Sequence, residues 1–211
     1  AAPVIPRGPC DPLAGMHATF ALLVALEHRR QTGCGQLVEA TMVEAALNAA
    51  AEQVLEHGAY GRLLERDGNR GPVAAPQNLY ACRGTEQWLA LAVATDAQWT
   101  ALVEALGRPA WASDPARATA AGRRAAHTRI DDELARWCSS RDLDAVVTDL
   151  VARGIPAAPV VSARDVDRNP QLRARGFFES LPHPVVGTHE YAGLPMRFSA
   201  GAPRWYRRAA P

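Results

Sequence analysis

Asp11 stands in the stretch Pro9-Cys10-Asp11-Pro12-Leu13-Ala14-Gly15, directly ahead of an apolar run with helical spacing. A carboxylate at that address has two uses. Proline disfavours the α conformation in the residue before it and suits the first helical position, so Asp-Pro reads as a helix start with Asp11 as the N-cap. The same placement sets the carboxylate beside unpaired backbone N–H groups and the positive end of a helix dipole, where a nucleophilic carboxylate and the charge that develops on its target are both stabilised. These residues alone leave both uses open. An aspartate is already ionised at pH 7 and needs no base, so His17, about a turn and a half further on, explains little as its partner.

Other chemistries find less support. His183 and His189 fall in one segment and Glu39 and Glu44 in another, without an HExxH or similar spacing, and no metal site is expected. There is no GxGxxG after a strand, no GxxxxGK[ST] and no GxSxG. Cys10, Cys34, Cys82 and Cys138 are far apart and form no CxxC, which fits reduced thiols and a cytoplasmic protein. All 23 basic residues are arginine, they nearly balance 22 acidic ones, and the net charge is +1. No broad positive field therefore exists to attract nucleic acid or an anionic membrane. Arg29-Arg30, Arg123-Arg124 and the arginines from Arg204 to Arg208 read as solvated faces or local ion pairs. The longest apolar run, Ala18 to Leu26, is too short to span a bilayer, and the opening residues lack the layout of a signal peptide.

The elements that would position Asp11 follow from periodicity. Leu13, Met16, Phe20, Leu23 and Val24 recur at helical intervals, and Gly33 suits a left-handed C-terminal cap. QLVEAT, residues 36–41, reads as a short strand. A second long helix is predicted from Met42 to about Leu64, with Val43, Leu47, Val54 and Leu55 toward its buried face. The Gly, Pro and Asn of residues 65–78 mark a boundary. Beyond it, LYACRG and QWLALAV form a predicted hairpin turning at Gly84 to Glu86. A helix capped by Thr95 or Asp96 follows, carrying Trp99, Leu102, Val103 and Leu106 inward and ending at Gly107. Helices are expected at about 116–139 and 143–153, then a strand in GIPAAPVVS. The last stretch is rich in Pro and Gly and reads as loop anchored by Phe177, Phe178, Leu181 and Phe198.

Taken in order, several stretches resemble the family III CoA-transferases, which include the α-methylacyl-CoA racemases. They are GPCDPLAGMHATFALLVALEHRRQTGCGQLVEATMVEAAL, GNRGPVAAPQNLYACRGTEQWLALAV, DAQWTALVEALG, GIPAAPV, NPQLRARGFF and HPVVG. The resemblance covers almost the whole chain, and it rests on order and spacing together. It implies an α/β fold: the C-terminal part of a Rossmann-like large domain at 1–65, a small α+β domain at 66–165, and a C-terminal segment at 166–211 that returns to the large domain.

It also implies that Asp11 is the nucleophile. CoA would pass from an acyl-CoA donor to a carboxylic acid acceptor through an aspartyl anhydride and an aspartyl-CoA thioester. Gly68 and Asn69, in DGNRGPVAAP, match the region of a glycine run that covers the active site in some members, and are expected to contact substrate. No permanently bound cofactor is implied, only a coenzyme A thioester as substrate. Members are about twice this length, so the chain is expected to be a C-terminal portion, inactive and a weak CoA binder without an N-terminal half, and part of an interlocked homodimer. The alternatives are a 2-methylacyl-CoA racemase or isomerase, in which Asp11 moves a proton, and a non-catalytic assembly module, in which Asp11 only caps. The DPLAG context favours the transferase.

Overall fold

The computed structural model describes residues 8–200. The chain divides into two compact units, Ala1–Gly68 and Asn69–Pro211.

The first unit is built from three helices. Helix α1 runs Cys10–Thr32 and stops at Gly33, whose φ of 75° lets its N–H return to the Arg29 carbonyl at 2.8 Å, as the sequence predicts. Residues 36–41 belong to no strand. The expected strand is absent because a β-strand exists only by pairing, and among its described residues this unit has no other strand to pair with. The predicted second helix is two: α2, Met42–Ala49, and α3, Ala51–Tyr60, which part at Ala50. Thr41 caps α2 by accepting from the Glu44 N–H.

α1 packs on α2, yet the unit encloses almost nothing. Ala25 and Ala45 are its buried apolar residues, while Phe20 is 70% exposed, Val43 71% and Leu55 69%, with Leu47 and Val54 also exposed. The predicted inward face of residues 42–64 therefore points to solvent. Three short helices touch along lines and cannot surround a core. A helix apolar over this much of its circumference is normally one buried by further elements.

The second unit has a core of its own. Strands β1, Gln77–Ala81, and β2, Trp88–Ala92, form the predicted antiparallel hairpin, and β3, Ala157–Pro159, adds antiparallel to β2. Burial alternates along the central strand, with Leu89, Leu91 and Val93 inside and Trp88 partly outside. Helix α4, Asp96–Ala105, starts at a capping box in which Thr95 accepts from the Gln98 N–H and the Gln98 side chain accepts from the Thr95 N–H. It buries Trp99 and Leu102. The region expected to be helical from about 116 is a short 3-10 turn at Pro115–Arg117, then α5, Ala120–Ala125, and α6, His127–Ser139, broken at Ala126. α6 turns Ile130, Leu134 and Cys138 inward at helical intervals, and α7, Leu143–Ala152, contributes Leu143, Val146 and Leu150. Each large aliphatic side chain so buried contributes about 1.5–3 kcal/mol.

The tail is more regular than its composition implies. After α8, Pro170–Ala174, strands β4, Phe178–His183, and β5, Gly187–Ala192, pair as an isolated antiparallel hairpin. Pro182 sits inside β4 opposite Thr188, tolerable because each strand of a two-stranded sheet has a free edge. Phe177 and Phe178 meet edge to face at 5.1 Å, and the Arg173 guanidinium lies 5.4 Å from the centre of the Phe178 ring. Phe198 is more than half exposed.

Gly122, inside α5, has no room for a side chain: a β-carbon there would collide with the backbone carbonyl oxygen of Ala116. Backbone held between the buried side chains of Arg117 and Arg123 cannot step aside cheaply. Gly122→Ala should therefore cost about 2 kcal/mol or more despite the better helix propensity of alanine. A lowered urea midpoint with unchanged slope would register that loss; an unaltered midpoint would show that the turn yields.

Two buried thiols set an alkaline limit. Burial pushes the Cys138 thiol up to about 12, with the adjoining Cys82 adding to the rise, and burial raises Cys82 as well. Burial, aided by the hydrogen bond to Asp131, also raises the Tyr80 hydroxyl. Unfolded thiols ionise near pH 8.5, so above that value the unfolded chain holds fewer protons than the folded one. The stabilisation is whole below about pH 8.5 and declines as pH climbs toward about 12, by at most about 1.4 kcal/mol per pH unit for each such group. Urea midpoints followed by tryptophan fluorescence should fall steadily from about pH 9. A flat profile to about pH 10.5 would contradict this burial.

Candidate active site

Asp11 lies in the first turn of α1 as its second residue, not at the cap. The N-cap is Pro9, with φ −69° and ψ −23°, and no side chain closes the helix end. Gly8, at φ 69°, turns the chain so that the helix starts two residues earlier than Asp-Pro implies. The capping role expected of Asp11 is thus not what the structure shows. Its carboxylate is exposed and forms no hydrogen bond or ion pair among the described residues. One oxygen folds back over Gly8, 3.7 Å from where a β-carbon on that residue would stand. Proline at position 9 has no N–H, and the N–H groups of Cys10 and Asp11 precede the first intrahelical bond, from Leu13 N to Pro9 O at 3.3 Å. An unengaged carboxylate at the positive end of a 23-residue helix is a free acceptor and a free nucleophile.

His17 is not its partner. Its Nδ1 lies 2.8 Å from the Leu13 carbonyl oxygen one turn back, so that nitrogen carries the proton and donates it to its own helix. Cys10 is a half-buried free thiol.

Gly68 and Asn69 form a turn, with Gly68 at φ 61°. The division between the two units falls between them. The Asn69 side chain donates from Nδ2 to Asn78 Oδ1 at 3.0 Å, and the same oxygen takes the Leu79 N–H at 2.8 Å. The Asn69 carbonyl accepts from Gln77 Nε2 at 2.9 Å. Next in the chain, Arg70 Nη2 donates to Thr128 Oγ1 at 3.1 Å and to Asp131 Oδ2 at 3.0 Å. The other Asp131 oxygen accepts from the Tyr80 hydroxyl at 2.7 Å.

Arg123 corrects half of the reading of Arg123-Arg124 as solvated faces or local ion pairs: it is ion-paired, but buried. Its side chain is 0% exposed, donates from Nε to the Ala75 carbonyl at 2.8 Å and from Nη1 to the carbonyls of Arg117 and Ala118, and pairs with Asp96 at 2.8 Å. Sequence reasoning missed this network and Asp131. The available signal was polar residues at 123, 127 and 131, one face of a helix otherwise spaced for burial.

Of the other residues weighed, His183 Nδ1 accepts from the Val185 and Val186 N–H groups, and His189 Nε2 lies 2.8 Å from the Val186 carbonyl oxygen. Both imidazoles thus serve the hairpin turn. No group of three His, Cys, Asp or Glu among the described residues is placed to hold a metal ion. No described helix is long and apolar enough to cross a membrane.

Similarity searches agree on one kinship. The sequence profile of CoA-transferase family III matches residues 3–211. A formyl-CoA:oxalate CoA-transferase of Escherichia coli O139:H28 is 30% identical over 214 residues, covering 92% of this chain and 51% of the relative, and a protein of that name from Shigella boydii serotype 18 matches equally. The chain spans about half the length of these relatives. Among solved structures, a CAIB/BAIF family protein from Brucella suis superposes with a TM-score of 0.84 at 26% identity, covering 99% of this chain and 53% of that one. Rv3272 of Mycobacterium tuberculosis shares the fold, with a TM-score of 0.77 at 20% identity over 95% of this chain and 52% of its own. With helices and sheets mixed as in these structures, and with residues 3–211 of the chain matched by the family profile, the chain belongs to CoA-transferase family III.

Proposed function

We propose that this chain takes part in moving CoA from an acyl-CoA to a carboxylic acid, with Asp11 as the nucleophile. The observation that supports it best is the Asp11 carboxylate itself: exposed, uncommitted, and relieved of the capping duty that would otherwise account for it. An Asp11 oxygen attacks the thioester carbonyl carbon, the C–S bond breaks, and CoA leaves as thiolate, giving a mixed anhydride. The thiolate attacks the Asp11 carbonyl of that anhydride and expels the donor acid as carboxylate, leaving an aspartyl-CoA thioester. The acceptor carboxylate then attacks the Asp11 carbonyl and releases the thiolate. That thiolate takes the acceptor acyl group and restores Asp11. Each intermediate is an activated acyl group, so the cycle needs no ATP, only exclusion of water. The unpaired N–H groups at the start of α1 favour the negative charge of the resting carboxylate.

Gly68 and Asn69 are assigned to substrate contact, and no permanently bound cofactor is invoked. Residues 1–65 are assigned to a large domain, 66–165 to a small one, and 166–211 to a segment returning to the large domain. The exposed apolar faces of α1, α2 and α3 are assigned to a homodimer and to a counterpart of the half of its relatives that this chain does not span. On this view the chain alone is inactive. Mass spectrometry of peptides quenched during turnover of the complete enzyme tests the scheme: an acyl or CoA adduct is expected on the peptide containing Asp11. Turnover with that peptide unmodified, and with solvent deuterium entering the acyl group without an acceptor acid, would favour proton transfer instead.

A further inference from the structure

We infer that α5 and α6 form a fixed mount for residues 69–77, making that stretch a rigid wall and not a moving lid, with Asp131 as the positioning residue that sets Asn69 through Arg70. The bearing on catalysis rests on the substrate role proposed for Gly68 and Asn69; the holding rests on geometry within the second unit alone.

The stretch is tied along its whole length. Arg70 reaches Thr128 and Asp131, Arg124 Nη2 donates to the Val73 carbonyl at 3.0 Å, and Arg123 Nε donates to the Ala75 carbonyl. The Gln77 N–H donates to His127 Nε2 at 3.2 Å, and the Ala75 N–H to the Val93 carbonyl at 2.9 Å. Ala74 and Ala75 are buried. The holding side chains sit at 123 and 124 on α5 and at 127, 128 and 131 on α6; Arg123, Arg124 and His127 meet backbone groups of the stretch, while Thr128 and Asp131 meet the Arg70 guanidinium. Gly71 closes the arrangement from within: a β-carbon on it would stand 2.7 Å from Gln77 Oε1, so the stretch is packed against its own downstream side chain.

A lid needs backbone free to swing, and here the ties come from α6, whose Ile130, Leu134 and Cys138 lie in the core, and from α5, held by the buried Arg123. Asp131 is the junction. One oxygen holds Arg70, adjacent to Asn69, and the other holds the buried Tyr80 hydroxyl of β1, so a single carboxylate references the wall to the sheet. Asp131→Asn keeps an acceptor for Tyr80 but removes the charge that holds Arg70.

The test joins amide hydrogen exchange of the full chain to steady-state kinetics of the complete enzyme. In the parent, peptides covering 69–77 should exchange as slowly as β1. Asp131→Asn should speed their exchange about tenfold while α7 and β2 are unaffected. It should also raise KM for the acyl-CoA about tenfold with kcat within about twofold. Arg124→Gln, which cuts a tie made by an exposed side chain, should give the same exchange response and covers the case in which Asp131→Asn unfolds. Parent exchange at 69–77 as fast as at 62–67 would overturn the rigid wall. Faster exchange with an unaltered KM would overturn the positioning role. Full activity in Asp11→Asn would instead remove the nucleophile and leave the exchange result standing.

Discussion

Asp11→Asn in the complete enzyme is expected to lower kcat for CoA transfer by at least about a thousandfold, equivalent to about 4 kcal/mol of barrier. The amide cannot attack a thioester to give an anhydride, while its shape and polarity are almost unchanged. Stability should move by less than about 0.5 kcal/mol, because only a dipole interaction is lost. The structure sharpens this expectation: among the described residues Asp11 has no capping bond and no ion pair to break. Pro12 sharpens it further, since a proline has no N–H to close the succinimide through which an asparagine reverts to aspartate. Residual turnover could not then be blamed on reversion. Steady-state rates beside a melting curve check both halves. Wild-type rates with a wild-type melting curve would end the nucleophile proposal.

Arg123→Met should be the most damaging single change to the second unit, at about 3–5 kcal/mol. The side chain is wholly buried, and its guanidinium satisfies the carbonyls of Ala75, Arg117 and Ala118 together with the Asp96 carboxylate. It also lies 5.5 Å from the centre of the Trp99 ring. Methionine fills much of the volume but leaves three carbonyls in the core without a donor, each costing on the order of 1–3 kcal/mol less whatever water can reach it. The loss should appear in urea unfolding followed by tryptophan fluorescence, which Trp99 and Trp111 report from the core, their rings meeting edge to face at 6.5 Å. A loss below about 1 kcal/mol would mean that these carbonyls find other donors.

What could be read from sequence was what is decided within a few residues. The Thr95 and Gln98 capping box, the turn at Gly84 to Glu86 and the left-handed Gly33 are local, and each stands where the sequence put it. Failures came where distant chain decides. Residues 36–41 have strand composition but no strand to pair with, and Arg123 is buried because a carbonyl 48 positions earlier needs its donor. Pro182 disguised a strand as loop. The helix start was misplaced by two residues because the Asp-Pro preference was weighed without Gly8, whose positive φ makes the earlier entry. Of the candidate site, the nucleophile proposed at Asp11 was suggested only by the ordered resemblance to a family, since its immediate neighbours fit a cap equally well. The Arg70–Asp131–Tyr80 linkage was missed because Arg70 and Tyr80 lie 61 and 51 positions before Asp131, and the polar spacing around Asp131 does not say which distant residues it meets.

The contrast between a first unit almost without interior and a second unit with a closed one divides the chain into two regimes of mutational cost. A truncated side chain at Leu102 or Ile130 is felt by any single molecule, at any dilution. On the proposed assignment of that surface to a partner, one at Phe20 or Val43 is felt only in proportion to how often the surface is covered, so its penalty scales with the abundance of that partner. On that assignment the two units answer to different selective pressures: one to its own folding, the other to company.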